Sequence, residues 1–162
     1  IDDYLSTYTR VENGTRVLKE QYVGNSSIEK QFEVAKNIES LGQNSAVSQN
    51  WKNWTIKDVC NDQNGTGYWG TLIDTGDGNA MIANRGSESY DLEQLFKDWI
   101  VADIGLLNHA LTTQQARATI YMQELWEKYG DQYDSFSVTG HSLGGNLAEH
   151  MAITAPEGMK KR

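Results

Sequence analysis

A single cysteine, Cys60, excludes an internal disulfide and leaves the redox compartment open. Basic residues are scarce as well: 14 Lys and Arg face 22 Asp and Glu, for a formal net charge of -8. With no basic stripe to offset that balance, nucleic acid is disfavoured as a partner. No apolar run approaches the roughly eighteen residues that would span a bilayer. The opening residues Ile1-Asp2-Asp3-Tyr4 carry neither a starting Met nor a signal-peptide pattern, so the chain is open to being mature, trimmed or excised from something longer. Internal repeats and low-complexity tracts are also missing.

Metal-ligand spacing is equally thin. Asp62-Gln63-Asn64-Gly65-Thr66-Gly67 begins like a calcium-binding loop, but its twelfth position is Ile73 rather than a bidentate Glu, and no helices flank it. This loop and Thr75-Gly76-Asp77-Gly78 read as plain turns, and neither a metal nor a cofactor is expected. Four sequons begin at Asn13, Asn25, Asn53 and Asn64. They would matter only in a eukaryotic secretory pathway, and a chain this rich in Asn, Ser and Thr generates them by chance.

What is present is the length of one ordinary domain, 162 residues, with organised periodicity after the first third. Residues 1–50 are polar and loosely amphipathic, and Ile28, Phe32, Ala35, Ile38 and Leu41 predict a helix from Ser27 to Leu41. Two strands are predicted at Tyr68 to Asp74 and Asn79 to Asn84, joined by the Thr75–Gly78 hairpin signal. Helical spacing then runs from Ser89 to Leu107 and again from Thr113 to Tyr129, where Gly130 ends it. The order of hairpin, helices, strand and helix implies an α/β domain, a central sheet flanked by helices. We expect one domain overall, with residues 1–50 packing as a helical segment on a core of residues 51–162.

The chemistry concentrates at Gly140-His141-Ser142-Leu143-Gly144-Gly145. This is the G-x-S-x-G spacing of a nucleophile elbow, a sharp strand-to-helix turn whose strained backbone lifts a serine Oγ clear of the chain. Gly140 and Gly144 avoid clashes across the turn, and the Leu143 N–H is aimed where an oxyanion would form. The flanks fit: Ser135-Phe136-Ser137-Val138-Thr139 alternates as a strand, and Leu143, Leu147, Ala148, Met151, Ala152 and Ala155 recur at helical spacing until Pro156 and Gly158. Ser142 is the expected nucleophile.

Three segments, in order, resemble the class 3 lipase family of α/β-hydrolases, in its bacterial lipase-like branch. They are Met81-Ile82-Ala83-Asn84-Arg85-Gly86-Ser87, Asp98-Trp99-Ile100 with Asp103, and Gly140 through Ala148. The resemblance covers roughly residues 68 to 155 and implies an α/β-hydrolase-like fold of which this chain is the N-terminal portion. It also implies that Ser87 supplies the second oxyanion donor opposite Leu143, with Arg85 in a structural role. Asn84 stands where the family has an aromatic residue, which puts the pocket floor in question. The stretch from Ser89 lies where the family carries a lid. A lid over an interfacial substrate and a stably buried helix predict the same periodicity as far as Phe96, whereas Trp99 to Ile104 reads as core.

A serine hydrolase of this kind needs a base and an acid after the serine. Glu149 to Arg162 offers only Glu149, His150 and Glu157. His150 is eight residues into the elbow helix, about 12 Å along the axis, out of reach of the serine proton. His141 is expected to pack and hydrogen-bond, and His109 to sit in a loop between helices. The acid and base are therefore expected outside this chain, with an open sheet edge beside the nucleophile strand inviting self-association or a partner chain.

The leading expectation is a serine esterase acting on lipid esters through an acyl-enzyme, as a lipase or phospholipase does, with this segment alone inactive. Expected partners are an acyl ester substrate and a lipid surface met through a lid, and the leaning is towards a secreted or cell-surface bacterial product. Two alternatives stand beside it: a non-catalytic binding module that has lost its triad, and an acyltransferase, which would use the same nucleophile with an alcohol as acceptor.

Overall fold

The computed structural model describes residues 1–44, 49–86 and 104–160. Its elements are α1 (Asp2–Tyr8), β1 (Thr9–Glu12), β2 (Thr15–Leu18), α2 (Ser26–Asn44), β3 (Thr55–Asp62), β4 (Tyr68–Asp74), β5 (Asn79–Asn84), α3 (Ile104–Tyr129), β6 (Ser135–Gly140), α4 (Leu143–Thr154) and α5 (Glu157–Lys160). Among the described residues they form a mixed α/β fold. A two-stranded hairpin, β1-β2, stands apart from a four-stranded sheet of order β3-β4-β5-β6.

Within that sheet β3, β4 and β5 run antiparallel through tight connections, whereas β6 lies parallel to β5. The difference follows from what joins them. Thr75–Gly78 turns the chain back at once, with Gly76 and Gly78 at φ +83° and +85° and the Asp77 carboxylate accepting from the Thr75 hydroxyl and the Asn79 N–H. A parallel neighbour needs a long crossover, and α3 lies on the path between β5 and β6.

Strand β4 is central and is buried at every position from Tyr68 to Ile73, because both faces are covered. On one face Tyr68 and Leu72, with Ile82 of β5, pack against Met122 and Leu125 of α3 and Leu147 and Met151 of α4. These seven are the largest fully buried side chains, each contributing on the order of 1.5–3 kcal/mol if apolar. On the other face a second cluster gathers Ala35 of α2, Leu5, Trp51 and Ile56, with Val59 against it.

Strand β3 serves both clusters because of a bulge between Ile56 and Asp58. Ile56 is registered with Ile73 on the α2 side. Past the bulge, Asp58 turns to α3 and accepts from Tyr121 and Tyr129 hydroxyls at 3.3 and 3.4 Å and from Lys128 Nζ at 3.1 Å.

Residues 1–50 are not only helical: besides α1 and α2 they hold the β1-β2 hairpin, turned by Asn13 at φ 50° and Gly14 at φ 78°. Arg16 ties it to α2 by a two-pronged ion pair with Glu39, at 2.7 and 2.6 Å. The helix predicted from Thr113 begins earlier, at Ile104, so His109 lies within α3 rather than in a loop. Most of the stretch from Ser89 to Leu107, including the region read as a lid, lies outside the described residues. No described helix is long and apolar enough to cross a membrane.

Candidate active site

The parallel pairing of β5 and β6 sets the site. Their register places Asn84 beside Gly140, so the two strands end together and their exits, 85–86 and 141–144, lie side by side. In an open sheet with parallel strands, the carboxyl ends of those strands are where sites are built.

At the exit of β6, Ser142 sits at φ 56° and ψ -123°. Asn13 is the other non-glycine residue with positive φ among those described, but it occupies a hairpin turn where Asn is at home. Ser142 with its negative ψ lies outside even the left-handed helical region, in territory that glycine dominates, at a cost of about 1–3 kcal/mol.

Such strain persists only where the surroundings over-determine it, and three glycines do so here. A Cβ on Gly140 would strike the Gly144 carbonyl, and one on Gly144 would strike the Asn84 carbonyl oxygen and come within 3.0 Å of Gly86 N. On Gly86 it would meet the His141 carbonyl oxygen at 2.7 Å. Gly140 and Gly144 thus occupy the positions expected of them. Gly86 is a third that the G-x-S-x-G spacing does not contain.

The strained serine does no structural work with its hydroxyl. It stands at the N-cap of α4, where Ser normally bonds the first turn, yet it makes no capping bond. Exposed, it has no hydrogen bond from its Oγ to any described residue.

Around it the orphan donors of the helix start are mostly used: Gly144 N–H donates to His141 O at 3.0 Å, and Gly145 and Asn146 N–H donate to Ser142 O at 2.9 and 3.3 Å. The Leu143 N–H has no acceptor among the described residues. An exposed hydroxyl and a free N–H one residue later, at the positive end of a twelve-residue helix, are suited to attack and to hold a developing oxyanion.

Beneath the turn lies Asn84, a buried polar side chain, 4 % exposed. The Tyr68 hydroxyl donates to its Oδ1 at 2.8 Å, and its Nδ2 donates to Thr139 O at 3.4 Å and to Met151 Sδ at 3.3 Å. Burial pushes the Tyr68 hydroxyl far above its ordinary value, which keeps it a donor. The residue marked as a departure in sequence is therefore tied into the core through its amide. Its signal was available: in β5 the inward positions are Ala80, Ile82 and Asn84, so the amide falls on the core side.

Arg85 is structural in the sense expected. Its guanidinium stacks over Trp69 at 4.7 Å, on the sheet face away from α4, and burial lowers its pKa while Glu33 opposes that shift. Ser87, the second expected oxyanion donor, lies outside the described residues.

Among the described side chains no histidine completes a triad. His141 is exposed and precedes the serine. His150, eight residues beyond Ser142 on α4, holds the Thr119 hydroxyl through Nε2 at 3.1 Å and so joins α4 to α3. Among the described residues no cluster of His, Cys, Asp and Glu is arranged to hold a metal.

Two hollows, of about 450 and 600 Å³, lie elsewhere among the described residues. One is lined by Tyr4, Gln31 and Trp54, the other by Trp54, Asp77, Asn79 and Ser135 at the start of β6, the end opposite Ser142. Ser142 borders neither of them.

A family model described as Mbeg1-like matches residues 71–162. That span takes in β5, α3, β6 and the whole elbow. No curated protein and no solved structure matches the chain. The matching family is a different one from the class 3 lipases, and this overturns the family resemblance read from the three motifs. The physical reason is plain in the elements themselves: a G-x-S-x-G turn and an apolar strand ending in Arg-Gly meet the demands of a tight strand-to-helix crossing, which is a local requirement and not the mark of one family.

Proposed function

The chain belongs to the Mbeg1-like family, and from the geometry that its matched residues build we propose that it carries the nucleophile of a serine hydrolase of carboxylic esters, acting through an acyl-enzyme. The observation that carries this reading is the backbone of Ser142, held at φ 56° and ψ -123° by three glycines while its hydroxyl is left exposed and bonded to no described residue. Backbone strain that buys no structural bond is what an activated nucleophile at an elbow requires. The finer fold reading, an α/β-hydrolase-like arrangement, belongs to the same proposal.

In this mechanism a base removes the Ser142 proton as Oγ attacks the ester carbonyl. The Leu143 N–H takes the oxyanion, joined by Ser87 as the second donor. Collapse expels the alcohol, which receives the proton, and water then frees the acid from the acyl-serine. The acid and base come from outside these 162 residues, and the outer edge of β6, which is paired with β5 and with no other described strand, is where the elements bearing them attach. Lipid esters are the favoured substrates because the sequence from Ser89 repeats apolar residues, Leu92, Leu95 and Phe96, at helical spacing close after the Arg85-Gly86 strand exit.

The test uses the protein at its full natural length. Hydrolysis of long-chain p-nitrophenyl esters should be lost in Ser142→Ala with the fold retained, and undiminished turnover would reject the assignment. Added alcohol diverting product from free acid to new ester would identify an acyltransferase. The non-catalytic module has one observation in its favour, that no described histidine or carboxylate bonds to Ser142 Oγ, and it predicts no turnover in any natural form.

A further inference from the structure

Asn84 touches the strand before the elbow and the helix after it from one position on the neighbouring strand. Its side-chain Nδ2 donates to the carbonyl of Thr139, the residue before Gly140, and to Sδ of Met151 in α4. Its main-chain oxygen lies against Gly144, close enough that a Cβ there could not fit. From the far side, Tyr68 of β4 reaches under the sheet to donate to Oδ1. That reach depends on Gly70, where any side chain would collide with the Tyr68 hydroxyl and meet the Tyr121 ring at 2.9 Å.

A buried amide is an expensive way to fill this space. An apolar side chain of similar volume would need no hydrogen-bond partners in a site 4 % exposed, so the polar choice needs a reason. What the amide adds is direction. Its donor fixes the last carbonyl but one of β6, and its acceptor is anchored to a tyrosine held in the middle of the sheet. Because both ends of the amide are committed, the strand before the strained serine and the helix after it are referred to the same rigid point.

We propose that Asn84 is the positioning residue that holds the Ser142 turn in its strained conformation, linking β4, β6 and α4. The proposal rests on the reading of Ser142 as a nucleophile only for its consequence in catalysis. The bracing itself is a statement about structure and can be tested without turnover.

Amide hydrogen exchange of Gly144, Gly145 and Asn146 reports the turn, because their N–H groups close on His141 O and Ser142 O. Asn84→Leu should raise exchange at these three amides at least tenfold beyond any change at Met122 and Leu125 of α3. The control Ile82→Val, in the same strand and core, should change all of them together. Uniform change in Asn84→Leu would overturn the proposal.

If Asn84→Leu does not fold, the wild-type protein still decides. The Asn84 carboxamide protons should exchange slowly and show magnetisation transfer to the Met151 methyl, and rapid exchange with no such transfer would overturn it. In the full natural protein, Asn84→Leu should slow phosphonylation of Ser142 by a fluorophosphonate, with loss of fluoride, at least tenfold. Wild-type protein that takes no label would remove the hydrolase reading while leaving the exchange result to judge Asn84.

Discussion

Replacing Ser142 by alanine and by glycine should separate the strain in the turn from its chemistry. Alanine removes only Oγ, which is exposed, caps nothing and bonds to no described residue, so Ser142→Ala should change stability by less than about 0.5 kcal/mol. It keeps the Cβ, and with it the unfavourable backbone. Glycine relieves a strain of about 1–3 kcal/mol. Against that relief stands the greater freedom of glycine in the unfolded chain, about 0.4–1 kcal/mol.

The difference leaves Ser142→Gly more stable than Ser142→Ala by roughly 1 kcal/mol, the reverse of the usual order of alanine over glycine. In a chain of this size such a difference raises Tm by about 2–4 °C. Thermal melts of the two variants in parallel would show it. Alanine equal to or above glycine would refute the strain on which the nucleophile assignment depends.

Two neighbouring glycines give a second contrast. Both lie in the first turn of α4, so both gain about 1 kcal/mol of helix propensity on becoming alanine. In Gly144→Ala the new Cβ meets backbone of Asn84, Arg85 and Gly86, which cannot swing aside, and a net loss of about 1–3 kcal/mol is expected by urea unfolding. Gly145→Ala meets only Gly140 O at 3.4 Å and should be neutral or stabilising; equal midpoints for the two would contradict the packing described. At the Asp62 turn, the Thr66 hydroxyl and then the Thr66 N–H hold the Asp62 carboxyl below its ordinary value, with a smaller contribution from Arg117. A depressed folded value means stability present above the unfolded value and lost as pH falls through the folded one. Thr66→Ala should therefore move the Asp62 midpoint up in a carboxyl NMR titration, and an unchanged midpoint would show that the hydroxyl does not set it.

How much of this was legible in the sequence differs by element. Tyr68–Asp74 and Asn79–Asn84 emerge with the bounds expected of them, because each is a regular strand next to a Gly-rich turn. The helix after the serine stops at Thr154, just ahead of Pro156, as its breakers require. Strand β3 was missed because its bulge reverses the facing of Ile56 relative to Cys60, which erases a period of two. The β1-β2 hairpin carries its Asn13-Gly14 turn openly, yet its strands are Thr-Arg-Val-Glu and Thr-Arg-Val-Leu, too polar to announce a buried face.

At the site, Ser142, Gly140 and Gly144 were readable because the elbow is a local geometry written in consecutive residues. The core-side placement of Asn84 follows from the alternation of β5, but its partners and the constraint on Gly86 do not, since they come from a strand 55 residues distant, brought alongside only by the parallel pairing of β5 and β6. Family membership was harder still. The same local demands recur on many chains, so motifs that describe the turn correctly led to the wrong family.

The most direct test of the central claim is to treat the protein, at its full natural length, with a fluorophosphonate and map the adduct by peptide mass spectrometry. A nucleophilic Ser142 facing the Leu143 N–H predicts one phosphonylated residue, Ser142, with no adduct in Ser142→Ala. Folded protein that takes no label, or takes it at another serine, would contradict the account.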